Sequence, residues 1–395
     1  MSATTTTTTE SITVLSNIQD PNDTKNVYYQ SGGYRLSRPV LEGADAKKTF
    51  DSIPTVDVSN IFSPDLEVRK AIAAEVGKVC EEVGFFYAAN PPVSKEKMEA
   101  AMDIIKTFFR LPQEELLKIH VDNSQGVKGY LPFSFRDGRR CRASYSFGRD
   151  YTNPEQHFVK KAPEGTVTVN QWPEDALPAF RTVLYEYYQE VFVFARQMLH
   201  IFALALGLDE TDLDDSFRFP LNDITMQYYP VQDPNDGSSI VPHADYGGFT
   251  LLHQDDVGGL EVLNANGIWV PAPPRENAYV VNTGSYMEVL SNGRFPATVH
   301  RAFGNPRVER FSLPFFYNPD PDTMIAPHPK LLANGQPAAF EPQDVSRRQI
   351  KGLMTNRPHH PFFSKLRALG LTDEQLTFDL VTQPLSAIEE KFGKK

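Results

Sequence analysis

The sequence predicts an α+β protein with a mainly β core and helices on both sides of that core along the chain. Between residues 220 and 320, short runs rich in β-branched and aromatic residues alternate with Gly, Pro, Asn and Asp, without a helical period. Regular short strands separated by turn residues are typical of a β-sandwich or barrel. Before and after this segment, apolar residues recur at the spacing of amphipathic helices.

The first part of the chain is predicted to contain two strands and two helices. "IPTVDVS" (53–59) alternates apolar and polar residues, and "FFYAAN" (85–90) is short and apolar, so both are predicted as strands. A helix between them is predicted to end at Gly84. A second helix is predicted to start with Ser94 as its N-cap and to stop before Pro112.

Two further stretches stand between these elements and the β core. "FRDGRRCRASYSFGRD" (135–150) is strongly basic in an acidic protein, and we interpret it as a solvated basic loop. From Asp175 to about Leu208, apolar residues recur at helical spacing in a wide stripe. This stripe predicts one long, buried helix.

These patterns divide the chain into five segments. The extension at 1–50 contains a low-complexity Thr run and is expected to be partly mobile, with 27–41 laid over the body. The remaining segments are a helical module (51–170), a long supporting helix (171–215), the β core (216–340) and a helical tail (341–395).

Composition limits the classes of partner. The formal net charge of −11 argues against nucleic acid or an anionic membrane as the main partner, which leaves small molecules as the simplest class. The two cysteines, Cys80 and Cys141, lack neighbours at zinc-ligand spacing, so a zinc finger and a disulfide framework are both disfavoured. Without a signal-peptide pattern or a run of about 18 apolar residues, we expect a cytoplasmic, reduced protein. The oligomeric state stays open.

A polar pair interrupts the apolar stretch "VPHADYGGFTLL" (241–252). His243 and Asp245 are two residues apart, so on a strand both side chains point to the same face. Alone, this pair is either a structural hydrogen-bonded pair or half of a metal site. His300 follows 55 residues later and would complete a set of two histidines and one carboxylate. That set serves non-heme Fe(II) oxygenases and also catalytic zinc sites.

A possible carboxylate receptor follows His300. Arg310 and Ser312, in "RFS", share one strand face by the same period of two. A guanidinium offers two parallel charge-assisted donors to a carboxylate, and the neighbouring hydroxyl adds a third. An oxygenase with a dicarboxylic keto acid as cosubstrate needs such a receptor, whereas a zinc hydrolase has no evident use for it.

With these motifs in order, residues 53 to 319 resemble the 2-oxoglutarate/Fe(II)-dependent dioxygenase superfamily, in its isopenicillin N synthase-like branch. The quoted segments that match are "IPTVDVS", "KGYLPF", "MQYYP", "PHADYGGFTLLHQDDVGGLEV", "NAYVVNTGSYMEVLSNGRFPATVHR" and "RFSLPFFYNP". The resemblance implies a double-stranded β-helix, or jelly roll, flanked by N-terminal and C-terminal helices. It also implies Fe(II), 2-oxoglutarate and O2 as cofactor and cosubstrates.

The resemblance assigns roles residue by residue. His243, Asp245 and His300 match the catalytic iron ligands. The remaining matches concern 2-oxoglutarate: Arg310 and Ser312 match the pair that binds its distal carboxylate, Tyr229 matches a tyrosine beside it, and Gln227 stands where many members have Asn. The products would be succinate, CO2 and a hydroxylated, desaturated or cyclised small organic molecule, plausibly in secondary metabolism or amino-acid modification.

Four residues are candidates for substrate contacts. Arg149 and Arg142 in the basic stretch either lie in a solvated loop or pair with a substrate carboxylate. Phe147 and Phe316 either line an apolar pocket wall or belong to the core.

Two alternatives to a 2-oxoglutarate-dependent oxygenase stay open at this point. Members of the isopenicillin N synthase and aminocyclopropane-carboxylate oxidase type resemble the chain but use no 2-oxoglutarate. The other alternative is a catalytically silent binding protein on the same fold, against which the complete set of His243, Asp245 and His300 argues.

Overall fold

The computed structural model describes most of the chain, namely residues 23–31, 34–136, 139–149, 170–233, 236–332, 335–357, 359–377, 380 and 383–393. The low-complexity Thr run at 4–9 lies outside the described residues. Within the described ranges, no helix combines the length and the apolar character that a bilayer crossing requires.

The larger of two main sheets has eight strands. Its spatial order is β3 (Thr55–Asp57), β4 (Phe85–Ala89), β12 (Ala278–Thr283), β9 (Phe249–Gln254), β14 (Arg310–Asn318), β7 (Leu221–Tyr229), β6 (Arg139–Gly148) and β5 (Gly129–Arg136). The β3 and β4 strands are parallel, and every other pair of neighbours is antiparallel.

The smaller sheet has six strands. Its order is β11 (Trp269–Pro271), β10 (Leu260–Leu263), β13 (His300–Ala302), β8 (Ile240–Ala244), β1 (Asn26–Ser31) and β2 (Tyr34–Pro39). The β1 and β2 strands pair antiparallel, and β1 lies parallel to β8 with Gln30 opposite His243. Part of the N-terminal extension is therefore a strand pair that widens the sheet beside a candidate metal ligand. A third, minor sheet pairs β15 (Met324–Ile325) with β16 (Gln343–Asp344).

Nine described helices surround the sheets. They are α1 (Leu66–Glu82), α2 (Lys95–Phe108), α3 (Gln113–Lys118), α4 (Phe180–Ala205), α5 (Ser285–Leu290), α6 (Pro329–Leu332), α7 (Val345–Asn356), α8 (Pro361–Ala368) and α9 (Leu385–Phe392). Two predicted boundaries are confirmed. The Ser94 side chain accepts a hydrogen bond from the Lys97 amide at the start of α2, and Gly84 has a φ of +73° just after α1.

The main hydrophobic core lies between the larger sheet and α1, α2 and α4. Every second residue of β14 is buried in this core, namely Phe311, Leu313, Phe315 and Tyr317. Because side chains alternate along a strand, Arg310, Ser312 and Phe316 point to the opposite, inner face of the sheet. A second apolar cluster joins the two sheets through residues such as Phe85, Val262 and Val280. The candidate site therefore lies between the sheets, on this inner face.

The prediction of an α+β protein with a mainly β core is confirmed, but the basic stretch was misread as a solvated loop. Residues 139–148 form β6, which pairs with β7 from Ala143 to Gly148. The charges were misleading because the exposed arginines Arg139 and Arg140 begin β6, whereas the following Cys141, Ala143 and Tyr145 are buried. The short helix α5, inside the predicted β segment, was also missed.

Candidate metal and cosubstrate site

Three candidate ligands meet where β8 and β13 pair. His243 on β8 lies directly opposite His300 on β13, and Asp245 follows β8 immediately. Asp245 Oδ1 is 3.6 Å from His243 Nε2 and 3.9 Å from His300 Nε2. The antiparallel pairing of β8 with β13 thus brings Asp245 and His300 together, although they are 55 residues apart in the sequence. Within the described residues, this is the one group of His, Cys, Asp and Glu whose ligand atoms converge, all within 4.8 Å of one another.

Both imidazoles are oriented by their second nitrogen. His243 Nδ1 lies 2.9 Å from the carbonyl oxygen of Val241, and His300 Nδ1 lies 3.2 Å from that of Thr298. A carbonyl can only accept a hydrogen bond, so each Nδ1 is the protonated donor and each Nε2 keeps its lone pair. The lone pairs on the two Nε2 atoms are therefore available to a metal ion.

Asp245 is held by two residues that the sequence analysis did not identify. Its Oδ2 accepts hydrogen bonds from Thr250 Oγ1 at 2.7 Å and from Asn282 Nδ2 at 2.8 Å. Thr250 on β9 and Asn282 on β12 pair with each other across the larger sheet. This arrangement leaves Oδ1 directed at the two imidazoles, as expected for a monodentate metal ligand with an oriented carboxylate.

The charges of the three groups are coupled. Burial raises the pKa of Asp245, but His300, His243 and the hydrogen bond from Asn282 outweigh it and hold the pKa below its usual range. Burial and the charge of His243 lower the pKa of His300 to about 4, against the opposing effect of Asp245. At neutral pH the site therefore presents a carboxylate and a neutral His300 imidazole, the forms that bind a metal.

The donor set fits a divalent transition metal. Two imidazole nitrogens and one carboxylate oxygen on one side of an ion form the facial set of non-heme Fe(II) oxygenases. The three ligand atoms lie within 4.8 Å of one another, close enough to converge on one ion. His243, Asp245 and His300 would hold the ion, and a set of three protein ligands leaves room for cosubstrate to bind the metal.

A buried guanidinium with open hydrogen-bonding capacity lies on the same inner face. Arg310 is only 1% exposed, and its one hydrogen bond from the side chain is a long contact of 3.4 Å from Nη2 to Gln254 Oε1. Its Nε and Nη1 find no acceptor among the described residues. Unpaired buried donors of this kind are costly, so they indicate a bound anion.

The other predicted cosubstrate residues surround Arg310. Tyr229 lies opposite Arg310 in the β7–β14 pairing, and the Arg310 guanidinium carbon is 4.5 Å from the centre of the Tyr229 ring. Ser312 lies opposite both Gln227 and Gln254 in neighbouring strands, so all three share the inner face. Gln227 Oε1 already accepts a 2.7 Å hydrogen bond from Arg142 Nη1.

Comparison with known proteins identifies the family. A family model described as the 2OG-Fe(II) oxygenase superfamily matches residues 221–319, and one described as the N-terminal part of a non-haem dioxygenase in morphine synthesis matches 53–175. The 2-oxoglutarate-Fe(II) type oxidoreductase ppzC of Metarhizium rileyi is 32% identical over 75% of this chain and 85% of its own length. The chain belongs to the 2-oxoglutarate/Fe(II) oxygenase superfamily.

Other relatives and solved structures agree with this assignment. Isopenicillin N synthase of Amycolatopsis lactamdurans is 33% identical over 70% of this oxygenase and 87% of its own length. A putative 2OG-Fe(II) oxygenase structure from Caulobacter crescentus superposes with a TM-score of 0.66 at 26% identity, over 77% of this chain and 99% of that one. Full-length Neurospora crassa T7H in complex with alpha-KG gives 0.68 at 24% identity, over 76% and 95%.

The predicted fold and chemistry are thereby confirmed. The two facing sheets with their flanking helices form the jelly roll of this superfamily. The protein is an oxidoreductase that uses Fe(II), with 2-oxoglutarate and O2 as cosubstrates. The predicted similarity to the isopenicillin N synthase-like branch is also confirmed.

Of the four substrate candidates, the structure brings Arg142 and Phe316 to the inner face of the oxygenase. Phe316 lies opposite Thr250, which binds Asp245, and opposite Asp223 on the other side. It is partly exposed, as expected for a side chain bordering open space. Arg142 lies two positions before Ser144, which pairs with Gln227.

Phe147 and Arg149 face away from this site, so their assignment as substrate contacts was wrong. Phe147 is completely buried in the main core, where its ring packs against Trp172, Tyr185 and Tyr188. Arg149 is 5% exposed, and its guanidinium carbon lies 3.6 Å from the centre of the Phe219 ring. The reason is strand alternation, because between Ala143 and Gly148 the odd-numbered residues of β6 face the helices and the even-numbered residues face the smaller sheet.

Phe147→Ala tests this placement. Loss of a fully buried ring should lower the free energy of unfolding by about 3–5 kcal/mol, without changing 2-oxoglutarate affinity, because the ring packs on the far side of the sheet. Urea unfolding and cosubstrate titration measure the two quantities. Phe316→Ala is the matched control on the inner face, with a smaller loss of stability. Unchanged stability with impaired cosubstrate binding in Phe147→Ala would contradict the placement.

Proposed function

We propose that this oxygenase binds Fe(II) through His243, Asp245 and His300 and anchors the distal carboxylate of 2-oxoglutarate on Arg310 and Ser312. Tyr229 and Gln227 border the same carboxylate from β7. The reaction oxidises a small organic molecule by hydroxylation, desaturation or ring formation, with release of succinate and CO2. The bound iron, together with 2-oxoglutarate and O2, would supply the oxidising power that removes hydrogen from the substrate.

The observation that most supports this assignment is the state of Arg310. Its guanidinium is almost completely buried, lies on the inner face shared with the metal ligands, and has two nitrogens, Nε and Nη1, without an acceptor among the described residues. A carboxylate held by this fork would restore the missing hydrogen bonds and neutralise the charge. Ser312, two residues further on the same face, can donate a third hydrogen bond from its hydroxyl.

The protein's own side chains prepare the site before any ligand enters. Thr250 and Asn282 fix the Asp245 carboxylate, and two backbone carbonyls fix the imidazole tautomers. The Phe85 ring lies edge-on to His300, with a centroid distance of 5.1 Å, which screens this ligand from water. Binding a metal therefore needs little rearrangement, which favours affinity.

Small-molecule substrates are typical of the structural neighbours. One Neurospora crassa T7H structure contains thymine, and a JOX2 structure contains JA. We extend only this class of partner to the present chain. Absence of nucleic-acid and membrane partners, and the cytoplasmic location, stay predictions from the composition.

Product analysis tests the proposed function. Protein reconstituted with Fe(II) in air should convert 2-oxoglutarate into an equal amount of succinate, slowly when substrate is absent. His300→Ala, which removes one metal ligand, should form none. Oxygen consumption without succinate would instead indicate the 2-oxoglutarate-independent chemistry associated with isopenicillin N synthase. No oxygen consumption and no succinate, despite bound iron, would indicate a silent binding protein.

A further inference from the structure

Arg142 is a second cation on the inner face of the larger sheet. Ala143 pairs with Tyr228 across β6 and β7, which places Arg142 beside Tyr229, on the side away from Arg310. Its Nη1 donates a hydrogen bond to Gln227 Oε1 at 2.7 Å, and no described carboxylate forms an ion pair with it. The two arginines thus flank Tyr229.

Several other arginines of the chain face a carboxylate. They are Arg69 with Glu210, Arg139 with Asp236, Arg294 with Glu81 and Arg301 with Glu261. On the inner face, the side-chain hydrogen bonds of Arg310 and Arg142 go to the neutral amide oxygens of Gln254 and Gln227. In a chain of net charge −11, acidic residues are abundant, yet neither guanidinium forms an ion pair with a described carboxylate.

The surroundings of Arg142 destabilise the charged form of its side chain. Burial lowers the pKa of Arg142, and only the weakly acidic side chains of Tyr229 and Cys141 act in the opposite direction. Arg357, which ends α7, is a further cation nearby, since burial and the charge of Arg142 both lower its pKa while Asp122 raises it. A partly buried cation without an ion-pair partner is stabilised when an anion binds beside it.

We propose that Arg142 binds a carboxylate of the substrate, so that this oxygenase acts on an organic acid. The inference rests on the proposed function of the site, and it names the substrate class. The cosubstrate has its own receptor in Arg310 and Ser312, which leaves Arg142 for a second anion. The guanidinium can hold a carboxylate through two parallel N–H donors while keeping its bond to Gln227 through a third.

The register also limits the size of the acid. Arg142 and Arg310 occupy equivalent positions on either side of Tyr229, so both side chains start from the same level of the larger sheet. Between this level and Asp245, the inner face of β6 presents the small side chains of Ser144 and Ser146. Phe316 faces the same space from β14. A compact acid with an apolar or aromatic body fits this lining.

Binding of matched acid and amide probes tests the proposal. The probes are phenylacetate with phenylacetamide, indole-3-acetate with indole-3-acetamide, and hexanoate with hexanamide. Isothermal titration is performed without oxygen on the Fe(II) and 2-oxoglutarate complex of the full chain. We expect at least one acid to bind more tightly than its amide by about tenfold or more, since hydrogen bonds to a charged group are the stronger ones.

Variants assign the preference to one residue. Arg142→Gln should abolish the acid preference but leave 2-oxoglutarate affinity nearly unchanged, and Arg142→Lys should restore part of the preference. Arg140→Gln is the matched control, because Arg140 is exposed on the same strand and its loss removes the same charge. No acid preference in the parent protein, or a preference that survives Arg142→Gln, overturns the inference. If Arg142→Gln lowers the affinity for 2-oxoglutarate and changes nothing else, the inference is also overturned, because Arg142 then binds the cosubstrate and not the substrate. In each of these cases, the proposed function still stands if the parent protein binds 2-oxoglutarate normally.

Discussion

Arg310→Leu is expected to weaken 2-oxoglutarate binding by roughly 30-fold to several-thousand-fold, because truncation of one partner in a buried, hydrogen-bonded charge pair costs about 2–5 kcal/mol. Arg310 is 1% exposed, and its Nε and Nη1 have no acceptor among the described residues, so their N–H groups remain available to a carboxylate. Anaerobic titration of the Fe(II)-loaded variant with 2-oxoglutarate measures the effect. Iron affinity should not change, because Arg310 contacts none of the metal ligands.

Arg307→Leu is the matched control for this prediction. Arg307 is exposed just before β14, so its substitution removes the same charge from the same segment without entering the site. Its affinity for 2-oxoglutarate should equal that of the parent protein. Equal losses in the two variants would mean that net charge, not a specific anchor, governs cosubstrate binding. No loss in Arg310→Leu would place the cosubstrate carboxylate elsewhere.

Asp245→Asn is expected to lower Fe(II) affinity by more than about 100-fold, which exceeds the usual effect of changing a group that only supports a ligand. The amide is similar in size to the carboxylate, but it lacks the negative charge that Asp245 carries at neutral pH because its pKa is held low. Metal content after anaerobic dialysis against limiting Fe(II) measures the loss. The fold should persist, since the substitution leaves no cavity.

Asn282→Ala distinguishes a residue that binds the metal from a residue that only holds a metal ligand in position. It leaves all three ligands in place and removes only one hydrogen bond to Asp245 Oδ2. We expect a decrease in Fe(II) affinity of about 10- to 100-fold, smaller than that of Asp245→Asn. If Asn282→Ala proved as damaging as Asp245→Asn, then Asn282 would itself be part of the metal site. Unchanged affinity in Asp245→Asn would remove Asp245 from the ligand set.

Strand periodicity alone predicted part of the site. The two-residue spacing places His243 and Asp245 side by side, and the same rule groups Arg310 with Ser312. It could not bring His300 to them, because that contact depends on the pairing of β8 with β13 across 55 residues. The resemblance to a known family supplied this long-range step.

The wrong and missed site residues are also explained by strand geometry and strand pairing. Phe147 and Arg149 were selected for residue type and for nearness to the basic stretch, yet strand alternation on β6 turns them toward the helices. Thr250 and Asn282 went unnoticed because small polar residues in apolar strands have no sequence signature of their own. Their role appears only when β9 and β12 are paired.

The fold shows the same division between local and long-range information. Helix α2 begins after Ser94 as expected, since capping is encoded within a few residues. The β6 strand was missed although its partner β5 is adjacent in the sequence, because its charges resemble those of a loop; its other partner, β7, lies about 80 residues away. Sheet membership of β1 and β2, within the predicted extension, likewise depends on contact with distant β8.

The most direct test of the account is an anaerobic titration of the Fe(II)-loaded parent protein with 2-oxoglutarate, following the weak visible charge-transfer band from metal to ligand. The account predicts a band that grows to saturation at one equivalent of bound 2-oxoglutarate and one iron per chain, and that is missing in His300→Ala. Confirmed iron binding at the three ligands without any such band would contradict the claim that this site holds iron and 2-oxoglutarate together.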